Sequence, residues 1–334
     1  MKVLHVPYGI GMSSCAQALR KKGISATSWS LRTHHYDYLA DRKVNFDQYS
    51  KEEEEKQREK FFQKALNKYD IFHFHFGETF FPDRRDLEIL KKAGKKMVVH
   101  HRGSEVRMLS VARKFKNPYV KVKKSWPEKK IKANLKQLSK YIDHAIVNDY
   151  ELYAYVEPYY KHVHVVPHTI DVDKITPAYP SAAAKPLIVH APSRREIKGT
   201  KYVLNAIEKL EKSGLKFDFR LVEGLSHEEA LSIYKKATVI IDQMQIGSYG
   251  HLAMEAMAMG KPVICYIRKD LVSKYPEGLP IINGDPVNLF KVLKQFISKP
   301  KEWERIGKQG RKYVESYHSY EVVADKLLHI YSQL

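Results

Sequence analysis

The chain has 334 residues, 43% of them apolar, and a formal net charge of +20 at pH 7. One hydrophobic core rarely fills so long a chain, so two domains are expected, and the absence of any run of eighteen apolar residues excludes a membrane-spanning helix. The two cysteines, Cys15 and Cys265, sit in separate apolar segments, which gives no disulfide framework and points to a reducing compartment.

In chain order, "KVLHV" reads as a first strand and not as a secretory signal, because its short apolar run ends in a glycine turn. A helix near Met12–Lys22 follows, then "ATSWS". "KEEEEKQREK" mixes charges at helical spacing and reads as an exposed helix face. "DIFHFHF", a helix near Arg84–Ala93, "KMVVHH", "HAIVN" and "HVHVV" complete a first set of strands. "TPAYPSAAAKP" carries no periodic pattern and is expected to be an interdomain linker. The second set runs through "PLIVHA", a helix near Thr200–Lys212, "FDFRLV", a helix near His227–Lys236, "TVIIDQ", a further helix and "PVICYI". Two helices end the chain. Near-continuous apolar strands alternating with helices predict parallel sheets, hence two doubly wound α/β domains facing across a cleft. Ligands are expected at the C-terminal ends of the strands.

Four groups of residues at those strand ends can carry chemistry. Gly9 and Gly11, in "VPYGIGMSS", allow a sharp turn into a helix whose N-terminus suits an anion, although the same turn also serves close packing. "PSRREIKGT" crowds Arg194, Arg195 and Lys198 before a second helix start, a combination suited to a diphosphate. In "GSYGHLAMEAM", amides near Gly250, His251 and Leu252 are expected to be free for phosphate. One turn on, Glu255 fits either a ribose diol or the helix dipole. His73, His75, His100 and His101 cluster on adjacent strands. With no cysteine nearby, packed or cleft-lining histidines are expected and no metal site. Asp171 and Asp173 read as a turn.

Charge is uneven as well. Residues 113–140 hold eleven basic residues against one acid, with Phe115, Tyr119 and Trp126 interleaved. That segment fits anionic head groups, phosphate-bearing substrates or nucleic acid, or else a solvated basic face.

The order of "PYGIG", "DIFHFHFG", "VVPHTID", "SRREIKG" and "GHLAMEAMAMGKPVI" resembles the family 4 retaining glycosyltransferases of the GT-B fold, over nearly the whole chain. The resemblance implies an N-terminal Rossmann-like acceptor-side domain (1–176), a linker (177–186) and a C-terminal nucleotide-sugar domain (187–318). A last helix (319–334) would cross back onto the first domain. It implies that Glu255 holds the ribose, and that Arg195 (or Arg194) and Lys198 take the donor diphosphate with Gly250 and His251. Gly9 and Gly11 would approach from the other side, with His101 or Arg102 at the reacting centre. It also implies a sugar passed from a nucleoside diphosphate, UDP first, to a cell-envelope glycan or lipid-linked acceptor, without cofactor or metal. The setting would be cytoplasmic, peripheral to the inner face of the membrane through 113–140, with no nucleic-acid partner. The chain departs from the pattern at Gly247, where the first acid of the family's Glu-x7-Glu pair is expected. That departure keeps a silent nucleotide-sugar binder as an alternative, and the same architecture also serves 2-epimerases.

Overall fold

A computed structural model of the protein describes residues 1–33, 39–115, 117–182 and 185–334. Among the described residues twelve strands form two sheets. In the first, β1 (Lys2–Val6), β2 (Ser25–Ser30), β3 (Arg42–Lys43), β4 (Ile71–His75), β5 (Lys96–His101), β6 (His144–Val147) and β7 (His162–Val165) lie in the order β3-β2-β1-β4-β5-β6-β7. In the second, β8 (Leu187–His190), β9 (Asp218–Leu221), β10 (Val239–Ile241), β11 (Val263–Cys265) and β12 (Ile282–Asn283) lie in the order β12-β11-β10-β8-β9. Every pairing is parallel. The strand order reverses at β1/β4 and at β8/β10, so each sheet is doubly wound and opens a crevice at those carboxyl ends.

The strands are apolar on both faces because helices cover both. In the second sheet Ile188, Val239, Ile241 and Ile264 pack on the helices Thr200–Lys212 and Leu289–Ile297. The alternate residues Val189, Ile240, Val263 and Cys265 pack on the helix His251–Ala258. Side-chain alternation along each strand produces that division. In the first sheet Val3, Ile71, Val98 and Ile146 meet Cys15, Ala16 and Leu19 of the helix Ile10–Lys21.

The chain divides into two compact units, the first Met1–Met108, Lys124–Thr169 and Tyr320–Leu334, the second Leu109–Lys123 and Ile170–Ser319. The last helix, Tyr320–Ser332, belongs to the first unit. Val323, Leu327, Ile330 and Tyr331 join its core, and Lys21–Glu321 (2.7 Å) and Lys22–Asp325 (2.9 Å) bind its outer face.

Two boundaries differ from those expected. Residues 109–123 leave the first unit, because Asn117 Nδ2 donates to the carbonyls of Gln245 (2.9 Å) and Ile246 (3.1 Å). Tyr119 also packs on Tyr202 and Tyr266. The expected linker, too, is packed against the second unit, whose chain resumes at Ile170 and not after 186. Arg311 donates to the carbonyls of Val172, Ile175 and Ala258, and Ala178 N donates to Met259 O. Tyr179 lies so close to Gly260 that a Cβ there would meet its ring at 2.5 Å. Among the described residues no helix is long and apolar enough to cross a membrane.

Candidate functional site

In the second unit, the loops after β8 and β10 bring together most of the residues expected at a donor site. Gly199, in the left-handed region (φ 80°), ends the short turn Arg195–Lys198 and starts the helix Thr200–Lys212. A Cβ there would meet Met244 and Gln245 at 3.0 Å, so this turn seats directly on the β10 loop. Lys198 Nζ lies 2.6 Å from Gln243 Oε1 and 3.4 Å from Asp242 Oδ1. Arg195 makes a bidentate pair with Glu223. Arg194 is exposed, and its side chain has no partner among the described residues.

The amide of Gly250 was expected to be free. Instead it donates to Asp242 Oδ2 at 2.7 Å. The buried Asp242 carboxylate thus holds both the helix start and Lys198, the two positive features a phosphate would use. The sequence carried Asp242 only as the end of an apolar strand.

Glu255 lies one turn into the helix His251–Ala258 and is 8% exposed. Its Oε1 accepts from His227 Nε2 at 2.9 Å and lies 3.8 Å from His251 Nε2. Its Oε2 has no partner among the described residues. The hydrogen bond to Glu255 raises the His227 pKa above its ordinary value, against the opposing effect of partial burial.

Gly247 is in the left-handed region (φ 90°). A Cβ there would meet Arg268 Cγ at 2.7 Å. Arg268 is bidentate to Asp270 (2.9 and 2.7 Å), with its guanidinium 4.6 Å from the Phe115 ring centroid. The space beside the missing acid is therefore filled by an arginine that residues 109–123 cover.

In the first unit, Gly9 (φ 104°) caps the helix Ile10–Lys21 and Gly11 lies in its first turn, which has no acid. A Cβ at Gly9 would meet Phe76 at 2.8 Å, and one at Gly11 would meet the Arg102 guanidinium at 2.7 Å. Tyr8 stacks on Phe76 (4.7 Å, 7°) beneath Arg32, itself paired with Glu78.

The two candidates at the reacting centre both turn inward. His101 is fully buried, bonded to the Tyr160 hydroxyl at 3.0 Å, and burial lowers its pKa to about 3. It is a core residue, so its placement does not match the expected catalytic position. Arg102 is half-buried, with Nη1 on Asn148 Oδ1 (2.9 Å) and Nη2 on Gly11 O (3.0 Å) and His75 Nδ1 (3.0 Å). Among the described residues no carboxylate lies within ion-pair distance of its guanidinium.

His5, His73, His75 and His100 lie on two hydrogen-bonded branches that meet at Arg102, and their tautomers follow from its guanidinium, which can only donate. His75 Nδ1 therefore accepts, and its Nε2–H donates to His5 Nδ1 at 3.1 Å. Asn148 Oδ1 accepts from Arg102 and from His100 Nε2 (3.1 Å), so His100 Nδ1 accepts from His73 Nε2 (3.3 Å) and His73 Nδ1 accepts from Tyr331 OH (2.6 Å). All four rings are buried and neutral, their pKa values lowered chiefly by desolvation.

Candidate ligand atoms of His5, His73 and His75 lie within 4.8 Å of one another, a cluster compatible in size with a metal. The rings of His73 and His75 are parallel (2°) and 4.4 Å apart, however, so their in-plane lone pairs cannot converge on one ion. Arg102 adds a cation at 3.0 Å from His75. The donor set fits a hydrogen-bond relay and not a metal.

Residues 190–313 match the family Glycosyl transferases group 1. No curated protein matches the chain by sequence. The whole chain resembles solved structures at low identity. A glycosyltransferase from Rickettsia africae matches with TM-score 0.64 and 16% identity, covering 99% of this chain and 97% of that one. Sucrose-phosphate synthase from Thermosynechococcus elongatus matches with TM-score 0.62 and 14% identity, covering 99% and 98%. Anabaena HepE, in complex with UDP and glucose, matches with TM-score 0.64 and 12% identity, covering 100% of both chains. The chain has the GT-B fold of these glycosyltransferases.

Proposed function

We propose that this protein is a retaining glycosyltransferase that moves a sugar from a nucleoside diphosphate, UDP first, to a cell-envelope glycan or lipid-linked acceptor, without a metal. The observation that carries the reading is Glu255: a nearly buried carboxylate at a helix start, one oxygen held and the other open. It lies in the segment that matches Glycosyl transferases group 1, with Arg194, Arg195 and Lys198 on the same sheet edge. A carboxylate repels phosphate but accepts hydroxyls, so Glu255 suits the ribose and the cations suit the diphosphate.

As the sugar–phosphate bond breaks, negative charge grows on the leaving diphosphate. Arg194 is free to meet it. Arg195 and Lys198 would exchange Glu223 and Asp242 for phosphate oxygens, which stabilises the departing charge. That HepE was solved with UDP and glucose supports the choice of donor. The reading gives Arg102, beside the Gly9–Gly11 turn, the role of a cation on the acceptor side.

A thermal-shift panel of nucleotide-sugars in EDTA tests the donor site. A UDP-sugar is expected to raise Tm for the wild type, with Glu255→Ala and Arg195→Ala each weakening binding about tenfold, as loss of a charged hydrogen bond does. Equal shifts for all three proteins would remove the site assignment. Tight binding without turnover would instead favour the silent-binder reading, to which the Arg268-filled space beside Gly247 gives weight.

We also propose contact with an anionic membrane through the helix Glu128–Ser139. Its buried face is Ile131, Leu135 and Leu138, while Lys129, Lys130, Lys132 and Lys136 are exposed and lack acidic partners among the described residues. Sedimentation with anionic vesicles at low salt should pellet the wild type. It should pellet less of a Lys129→Gln, Lys132→Gln, Lys136→Gln triple variant. Equal pelleting with neutral vesicles would end this proposal.

A further inference from the structure

Glu255 does not stand alone at its position, and what holds it was not legible in its motif. His227 reaches it from a different helix, His227–Lys236. That helix start is fixed by a reciprocal capping box: Ser226 Oγ accepts from Glu229 N (3.3 Å), and Ser226 N donates to Glu229 Oε2 (2.8 Å). The His227 backbone is thereby set one residue from an ordered cap. Its side chain is 60% exposed, against 10% for that of Glu255, so an open imidazole covers a nearly closed carboxylate. His251, one turn before Glu255 on its own helix, has Nε2 3.8 Å from the same oxygen. Both imidazoles approach Oε1.

An unheld glutamate has free rotation about its last bonds, and a ligand that binds it must order the group. Clamping Oε1 removes that cost and leaves Oε2, the oxygen without a partner among the described residues, as the acceptor for a ligand. We infer that His227 is a positioning residue of the donor site: it holds Glu255 Oε1 so that Oε2 accepts a ribose hydroxyl, making the His227–Glu255 pair the element that distinguishes ribonucleotides from 2′-deoxyribonucleotides. The inference rests on the reading of Glu255 as the ribose acid and adds the residue that gives that acid its orientation.

The test is isothermal titration of the full chain with UDP, GDP and ADP, followed by the 2′-deoxy form of whichever binds tightest. The wild type should bind the ribonucleotide about tenfold more tightly than its deoxy counterpart. His227→Ala should lose most of that ratio by weakening the ribonucleotide while leaving the deoxy form little changed. His227→Gln, whose amide can still donate to Glu255, should recover part of it. A merely structural role would weaken both nucleotides alike and would not be rescued by glutamine. An unchanged ratio in His227→Ala, with wild-type affinity retained, overturns the inference and leaves the donor reading standing. Failure of the wild type to bind any of the three nucleotides overturns the donor reading and the inference with it. Thermal unfolding of each variant identifies one that has lost its fold, in which case His227→Gln alone decides.

Discussion

The space at Gly247 is specified by two constraints at once. With φ at 90°, any side chain is strained there, and an added Cβ would lie 2.7 Å from Arg268 Cγ and 3.0 Å from Cδ. Arg268 cannot simply swing away, because Asp270 holds it in a bidentate pair and Phe115 lies against its guanidinium. The absent carboxylate is therefore more than one lost group: backbone, arginine and a covering segment have all been arranged around a glycine. Gly247→Ala is expected to destabilise the chain by about 1–3 kcal/mol, combining left-handed strain with the displaced arginine. Urea denaturation measures it. A midpoint equal to that of the wild type would show that the loop relaxes freely, and restoring an acid at 247 would then become a reasonable route to a sugar contact.

Elements with a strong local pattern were readable from the sequence, and those fixed by distant partners were not. The β10 loop and the helix His251–Ala258 announce themselves through an apolar run, glycines and a periodic segment, and Glu255 falls within that local frame. His227 and Asp242 do not, because what makes them site residues is a contact 28 or 8 positions away in sequence. Asp242 also shows why counting free amides from a helix start misleads: the donor was identifiable, and the acid already bound to it was not. Residues 109–123 are the largest such case. Their eleven-to-one neighbourhood of basic charge read as one surface, yet Asn117, Tyr119 and Phe115 bind the second unit. Lys129–Lys136 stay on a solvated helix of the first. Composition cannot divide a charged run; two tight carbonyl contacts from Asn117 can. The sequence places the histidines of β4 and β5 on adjacent strands, but their order as a relay depends on Arg102, Asn148 and Tyr331, drawn from three separate segments.

Over the whole molecule, buried histidines are unevenly shared, and that fixes how stability responds to acid. In the first unit, burial holds His5 and His101 down to about 3 and places His73, His75 and His100 well below their ordinary value. In the second, burial lowers His190 to about 4, while the bond to Glu255 raises His227. A neutral buried histidine takes up its proton only on unfolding, so the unfolded chain binds more protons below pH 6.5 and stability falls as pH falls. Three first-unit acids act in the opposite direction. Burial raises Asp86 to about 6 and also raises Glu78 and Glu105, so the folded state gains protons there and regains some stability. Five buried histidines, with His144 and His164 lowered in the same sense, outnumber those three acids, so the first unit should lose stability as pH falls from 6.5 to 5.5. In the second unit His190 and His227 oppose each other, because a raised histidine adds stability on the acid side that is lost as pH rises through its folded pKa. Trp29 is buried in the first unit and Trp303 in the second, so variants keeping one tryptophan report each unit separately by fluorescence. The Trp29 urea midpoint should drop steeply from pH 7 to 5.5 while the Trp303 midpoint changes little. Parallel drops would mean either that the two units unfold as one or that the histidine relay is protonated in the folded state, and uptake of protons measured on unfolding at pH 6 separates those outcomes.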